Sequence, residues 1–263
     1  MTEGRVRIER DGEIGTVWLD RPEKLNAFAG DMRDRIGDAI EELGEDAGIR
    51  AIVVTGEGTG FCAGADIHYL NELVAEQNER DFARLLEAGE RVVRTIRGLD
   101  QPVIAANTGA AAGGGANLAL ACDLRIMADT ASIGQTFTRI GLHPDWGGTY
   151  FLPRLVGEAR ALELMWSGRM VPADEARAIG LVHRVVPADR LRDEALAWAR
   201  QIAAGPPLAM GRIKHAVYRS LSTDLDDMLA EEMENQLACF DSEDVTRGLF
   251  AFGNKETPRF EGT

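Results

Sequence analysis

No charged residue lies between Asp100 and Asp123. In a chain of 263 residues of which 27% are charged, the stretch QPVIAANTGAAAGGGANLALAC must lie in the interior. Its length would suit a membrane-spanning helix, but Pro102, Asn107, Thr108 and the triple glycine at 113–115 interrupt one. We read instead a buried strand over Val103–Ala106, a turn, and a helix over Ala116–Ala121 opened by the glycines. A strand follows over Leu124–Ala128. Strands with no charge on either face belong in the middle of a parallel sheet that is covered on both sides.

The remainder of the N-terminal half repeats this alternation. Val6 and Ile8 alternate with Arg5, Arg7 and Glu9, Asp11-Gly12 offers a hairpin turn, and Thr16–Leu19 return. Apolar residues at 32, 36, 39, 40 and 43 form a helical stripe, and Ala51–Val54 are a second doubly buried strand. Phe82, Leu85, Leu86, Val92, Val93, Ile96 and Leu99 mark a longer helix. Strands alternating with helices predict an α/β core with parallel strands. Beyond about residue 146 the strand signal nearly vanishes. Stripes at Leu191/Ala195/Trp198/Ile202 and Leu225/Leu229/Met233/Leu237 predict helices, with Gly205-Pro206-Pro207 as a break. The chain is therefore expected to divide into a core over 1–200 and a helical region over 201–263. Met228, Met233, Phe240, Phe250 and Phe252 carry more apolar surface than a small subdomain hides, so they either pack on the core or serve assembly.

Charge and composition remove several classes of function. Acidic residues outnumber basic ones 43 to 29, for a net charge of −14, which disfavours nucleic acid and anionic membrane surfaces as partners. Cys62, Cys122 and Cys239 form no CxxC pair, and the four histidines have no ligand-like spacing, so no disulfide framework or metal site is expected. The opening MTEGRVRIER lacks the apolar stretch of a signal peptide, and a cytoplasmic location is expected.

Three glycine-rich places remain. GEGTGFCAGADI at 56–67 follows a buried strand and runs into a helix near Asp66, exposing backbone N–H groups suited to a developing negative charge. Gly113-Gly114-Gly115 open a helix whose bare amides offer a second such place. Pro144-Asp145-Trp146-Gly147-Gly148 is a turn that aims a carboxylate and an indole. None is a GxGxxG, a P-loop or a GxSxG. Each alone is explained by close packing, a helix start or a tight turn. Together, two amide-donor places and one carboxylate are the minimal set for stabilising an enolate and moving a proton.

The segments RPEKLNAF (21–28), GFCAGADI (60–67), AANTGAAAGGGANLALACDLRIMA (105–128), IGLHPDWGGTYFLPRLVG (140–157) and GLVHRVVP (180–187) resemble the enoyl-CoA hydratase/isomerase, or crotonase, superfamily, in order and over almost the whole chain. The resemblance implies an α/β fold, a crotonase-like spiral of ββα turns with a C-terminal helical trimerisation region. It also implies a homotrimer or a homohexamer built as a dimer of trimers. The substrate implied is an acyl-CoA thioester, with no cofactor beyond the coenzyme A it carries. By the same resemblance, the N–H groups of Ala65 and Gly114 would hold the thioester oxygen. Lys24, Leu25, Ala63, Ala65, Asp66 and Ile67 match positions around the coenzyme A, and Phe252 and Lys255 match C-terminal residues that cap a neighbouring site.

Hydratases of this superfamily place two glutamates about the substrate double bond, and this chain has Asn117 and Phe137 there. Neither exchanges a proton at neutral pH. Asp145 remains, at a Pro-Asp position that isomerases of the superfamily use. TFTRIGLHPDWGGTYFLPRLVG and the ending NKETPRFEG are most similar to the ring-epoxide isomerase subgroup of phenylacetate breakdown. The leading expectation is an acyl-CoA isomerase with Asp145 as a proton shuttle whose pKa burial raises. Beside it stand an enoyl-CoA hydratase in which Asn117 positions water and Asp145 or His143 supplies acid/base function, and, from a different class, a non-catalytic acyl-CoA-binding protein. Trp146, Phe137, Tyr69 and Leu70 point to an apolar pocket, and Asp66 is expected to cap the helix that follows it.

Overall fold

Residues 4–263 are described in the computed structural model. The chain opens with an antiparallel hairpin of β1 (Arg5–Asp11) and β2 (Ile14–Asp20), in which Val6 faces Leu19 and Ile8 faces Val17. There follow α1 (Met32–Glu45), β3 (Ala51–Gly56), β4 (Gly60–Cys62), α2 (Ile67–Ala75) and α3 (Glu79–Gly98). The next turn of chain is β5 (Val103–Asn107), β6 (Ala110–Ala112) and α4 (Gly114–Ala121), and the one after begins with β7 (Leu124–Ala128) and β8 (Ser132–Gly134). Each turn contributes a long strand to one sheet and a short strand to another, then a helix. The path is a spiral of ββα turns, with the long strands β2, β3, β5 and β7 parallel and adjacent and the short strands β4, β6 and β8 stacked beside them.

Sequence pattern explains the division. β3 and β5 are buried along their whole length, with α8 packed against both and α4 against β5. The stripe of α1 delivers Met32, Ile36, Ala39, Ile40 and Leu43 to the core. Burying each of its larger side chains is worth roughly 1.5–3 kcal/mol. β4 lies inside the glycine-rich segment 56–67 and β6 in the stretch read above as a turn, and in β4, β6 and β8 alike three residues of pairing leave too little apolar alternation to announce a strand.

The C-terminal half comprises α5 (Gly148–Val156), α6 (Glu158–Ser167), β9 (Met170–Pro172), α7 (Ala173–Ala178), β10 (Arg184–Val186), α8 (Leu191–Ala203), α9 (Pro207–Arg219), α10 (Leu225–Phe240) and α11 (Glu243–Asn254). β9 and β10 extend the two sheets beyond the point where strand patterning faded. The division expected at residue 200 falls inside α8, whose buried Leu191, Ala195, Trp198 and Ala199 pack on β3 and β5. The break in the chain comes at Gly205-Pro206, after α8. Lys214 then pins α9 to the core, donating to the carbonyls of Ile96 and Gln101 at 2.9 Å and pairing with Asp123 at 2.9 Å. Of the five C-terminal residues singled out above, only Met228 is buried; Met233, Phe240, Phe250 and Phe252 are exposed rather than packed on the core. No helix among the described residues is long and apolar enough to cross a membrane.

Candidate active site

The start of α4, the loop before α2 and the turn before α5 converge on one cavity of about 290 Å³. Gly64 makes the first junction possible. Its φ of +87° is a conformation L side chains rarely adopt, and a Cβ there would sit 2.7 Å from the Ala112 carbonyl and 3.4 Å from the Gly114 nitrogen. Phe28 bridges the same loop, its N–H donating to Gly64 O at 2.7 Å and its carbonyl accepting from Asp66 N–H at 3.2 Å. In extended backbone successive N–H groups alternate in direction, so the Ala65 N–H points away from Phe28. Gly114 is the first residue of α4, and its N–H has no partner within the helix. Ala63, Ala65, Ile67 and Gly114 all line the cavity.

Asp145 lines it too and is the one carboxylate among its lining residues. Its carbonyl accepts from Gly148 N–H at 2.9 Å, closing the turn, while its carboxylate caps nothing: Gly147 is the N-cap of α5 and no side chain bonds there. Asp145 Oδ1 is buried without a hydrogen-bond partner and lies 3.7 Å from where a Cβ on Gly114 would be. Burial raises the pKa of this carboxyl to about 6, against the opposing fields of Arg33 and His143 and a bond from its own backbone N–H.

The turn is held from behind. Asn117 is fully buried, its Nδ2 donating to the Asp145 carbonyl at 2.8 Å and its Oδ1 accepting from Gln135 Nε2 at 2.6 Å. It does not line the cavity, so the expectation that it positions water there is not met. Phe137 does line it. Trp146 adopts a left-handed φ of 48°, strained for an aromatic residue, and stacks on Phe28 with ring centroids 4.9 Å apart and planes 3° from parallel. A Cβ on Gly89 of α3 would overlap the Trp146 indole. That explains a glycine in mid-helix. His143 lines the cavity and remains exposed, its Nδ1 bonded to the Pro144 carbonyl at 2.7 Å.

The other residues named from the sequence take different places. Asp66 is buried and ion-paired to Arg21 at 2.7 Å, and its Oδ1 accepts from His68 N–H at 2.9 Å as the N-cap of α2. Its side chain is committed to the fold. Lys24 and Leu25 are exposed on the short 3-10 turn before Ala63, whose N–H donates to Leu25 O at 2.9 Å. Phe252 and Lys255, near the end of α11, are exposed and do not line the cavity. Tyr69 does not line it either, whereas Leu70 does. Sequence reading missed Arg33 altogether. It sits on the buried face of α1, lines the cavity and lies over the Phe28 ring at 5.0 Å. The one available signal was an arginine directly beside the apolar stripe position Met32. A second, apolar chamber of about 260 Å³ between α2 and α3 shares Ile67, Leu70, Phe82, Ile140 and Leu142 with the first. Part of the α3 stripe therefore lines a chamber instead of entering the core.

No group of three or more His, Cys, Asp or Glu among the described residues is placed to hold a metal ion. A spiral of ββα turns with two amide-bearing loops about one cavity defines a class, and comparison with known proteins agrees. The profile of the enoyl-CoA hydratase/isomerase family matches residues 9–263, and the chain belongs to that family. It is 35% identical over 261 residues to a crotonyl-CoA hydratase of Syntrophomonas wolfei, with 99% of each chain covered. It is 37% identical over 250 residues to a 1,2-epoxyphenylacetyl-CoA isomerase of Escherichia coli, with 95% of each covered. A crystal structure described as a putative enoyl-CoA hydratase/isomerase from Mycobacterium abscessus superposes with a TM-score of 0.94 at 32% identity, covering 98% of this chain and all of that one.

Proposed function

We propose that the protein is an acyl-CoA isomerase that works through a thioester enolate, shifting a double bond or rearranging a ring epoxide. One observation carries this reading: the cavity has a single carboxylate, Asp145, whose unpartnered Oδ1 lies 3.7 Å from where a Cβ on Gly114 would be. Removing a proton beside the thioester leaves charge on the carbonyl oxygen, where the N–H groups of Ala65 and Gly114 receive it. Each such donor is worth roughly 3 kcal/mol of barrier. Asp145 takes the proton from one carbon and returns it to another, so one group acts as base and then as acid. A pKa near 6 keeps it ionised at neutral pH yet basic enough to accept a proton. The apolar chamber beside Ile67 and Phe82 gives the acyl chain somewhere to lie. No cofactor is needed beyond the coenzyme A of the substrate.

Ordinary hydration asks for two acid/base groups, and Asn117 and Phe137 supply neither. The second reading, an enoyl-CoA hydratase, rests on His143 lining the cavity with Asp145 and on the hydratase activity named for the Syntrophomonas relative. The exposed apolar faces of α10 and α11 favour a homotrimer or homohexamer, with Lys24, Leu25, Phe252 and Lys255 placed along the coenzyme A of assembled sites. We take the protein to act in the cytoplasm.

The deciding experiment follows a 3-enoyl-CoA by mass in heavy-oxygen water, beside an Asp145→Asn control. A conjugated product of unchanged mass, lost in the control, is the expected result. A product heavier by one labelled water supports the hydratase instead. Tight binding with no reaction of either enoyl or ring-epoxide substrates indicates a binding protein.

A further inference from the structure

Arg33 has no role in the mechanism just described. Its side chain is only 5% exposed, and its Nη1 is buried with no hydrogen-bond partner. The cation lies over Phe28, an interaction that does not supply an acceptor for that N–H. Burial pulls its pKa down, with Asp145 the strongest of the opposing fields. Even so, Arg33 Nη1 and Asp145 Oδ1 are both without partners, so they do not bond to each other. A buried guanidinium donor left unmatched is costly. Both residues line the same cavity, so an occupant of that cavity is the partner available to their side chains.

We propose that Arg33 binds an oxygen acceptor on the acyl group of the substrate, beyond the thioester carbonyl, and that this oxygen is a neutral one: a carbonyl, hydroxyl or epoxide oxygen. The proposal rests on the acyl-CoA reading above and narrows its substrate class. Charge balance selects the neutral acceptor. Arg33 and ionised Asp145 cancel, whereas a substrate carboxylate would leave a net negative charge in a partly desolvated cavity and make Asp145 harder to ionise. A neutral oxygen satisfies Nη1 without disturbing the base. If that oxygen gains charge during the reaction, the same N–H stabilises it.

The test is equilibrium binding by calorimetry, which needs no turnover. Hexanoyl-CoA is compared with 4-oxohexanoyl-CoA and 5-oxohexanoyl-CoA, and with adipyl-CoA as the acidic arm. A hydrogen bond to a charged donor is worth ~1.5–3 kcal/mol, so the better oxo ligand should bind about tenfold or more tighter than hexanoyl-CoA. In Arg33→Met that ratio, taken within the variant itself, should fall to about one. Arg33→Gln carries the same comparison if the methionine variant does not fold. A ratio near one for the unsubstituted protein, or one preserved in both variants, overturns the proposal. A larger Arg33-dependent gain for adipyl-CoA overturns the neutral acceptor in favour of a carboxylate. Failure of hexanoyl-CoA itself to bind overturns the acyl-CoA reading underneath, and is recognisable because that ligand lacks the second oxygen.

Discussion

Asp66 and Asp145 lie in two turns of the same cavity wall and are treated in opposite ways. Asp66, between the lining residues Ala65 and Ile67, faces inward to Arg21 and the amide of His68. Burial alone would raise its pKa, but the Arg21 bond and the helix-start amides outweigh that and hold it below the usual carboxylate range. Asp145 is offered no such partners, and burial prevails. One acid is spent on fixing the loop that carries the Ala65 amide. The other keeps an oxygen without a partner, and in the proposed mechanism its carboxylate takes the proton from the substrate.

The comparison breaks most visibly if the two acids are neutralised in turn. If the proposed isomerase mechanism holds, Asp145→Asn should lower kcat by about 10³-fold, within the range of a lost general base, while the protein stays folded. Asp66→Asn should do the reverse. Leaving Arg21 buried without its partner should reduce stability by about 3–5 kcal/mol in a denaturant titration, with the folded fraction retaining most of its kcat. Equal loss of activity in both variants would remove the distinction between them. A smaller effect is expected from Gly89→Ala. The added Cβ must displace the Trp146 indole, for a typical overpacking cost of about 1–3 kcal/mol. Because Trp146 follows Asp145 directly, kcat should fall more than KM rises.

The contrast also marks how far the sequence could be read. The α1 stripe, the doubly buried β3 and β5, and the helix opened by the glycines were all legible, since each writes its burial into a period of 3.6 or into an uncharged run. The short strands β4, β6 and β8 were not, because three residues carry no period. At the site, Asp145 could be singled out as the one acid left where two glutamates were missing. That Asp66 is structural was visible as a helix cap, but its ion pair with Arg21, 45 positions away, was not. Arg33 escaped because a charge beside an apolar stripe is ordinarily solvated. In the fold it is buried and lies over the Phe28 ring. Asn117 shows the same limit: its sequence position placed it at the substrate, whereas its hydrogen bonds turn it to the backbone of the Asp145 turn.

The finest distinction between the two acids is the sign of their effect on stability as pH changes. An unfolded aspartate titrates near ~3.9, whereas folded Asp145 titrates at about 6. Above both values the carboxylate is ionised in either state, and the folded protein alone bears the cost of holding it out of water. At roughly 1.4 kcal/mol for each tenfold change in proton affinity, that cost is ~2–3 kcal/mol, reduced by whatever water the open side of the cavity admits. As pH falls through 6 the folded state binds a proton that the unfolded chain does not, so this group's contribution to stability improves on acidification and levels off below about 4. Asp66, with its pKa lowered in the fold, stabilises above the unfolded value and loses that contribution as the medium becomes more acid. Asp145→Asn should therefore be more stable than the parent at pH 7–8 by about 2 kcal/mol, with the advantage shrinking to nothing by pH 4, as read from paired thermal melts across that range. Over the same range kcat/KM of the parent should fall about tenfold for each pH step of one below 6, because the protonated acid cannot accept a second proton. In the proposed mechanism activity and stability then trade at a single carboxylate. A stability gap that stays flat with pH would show that Asp145 is solvated as an ordinary surface acid and is not the base.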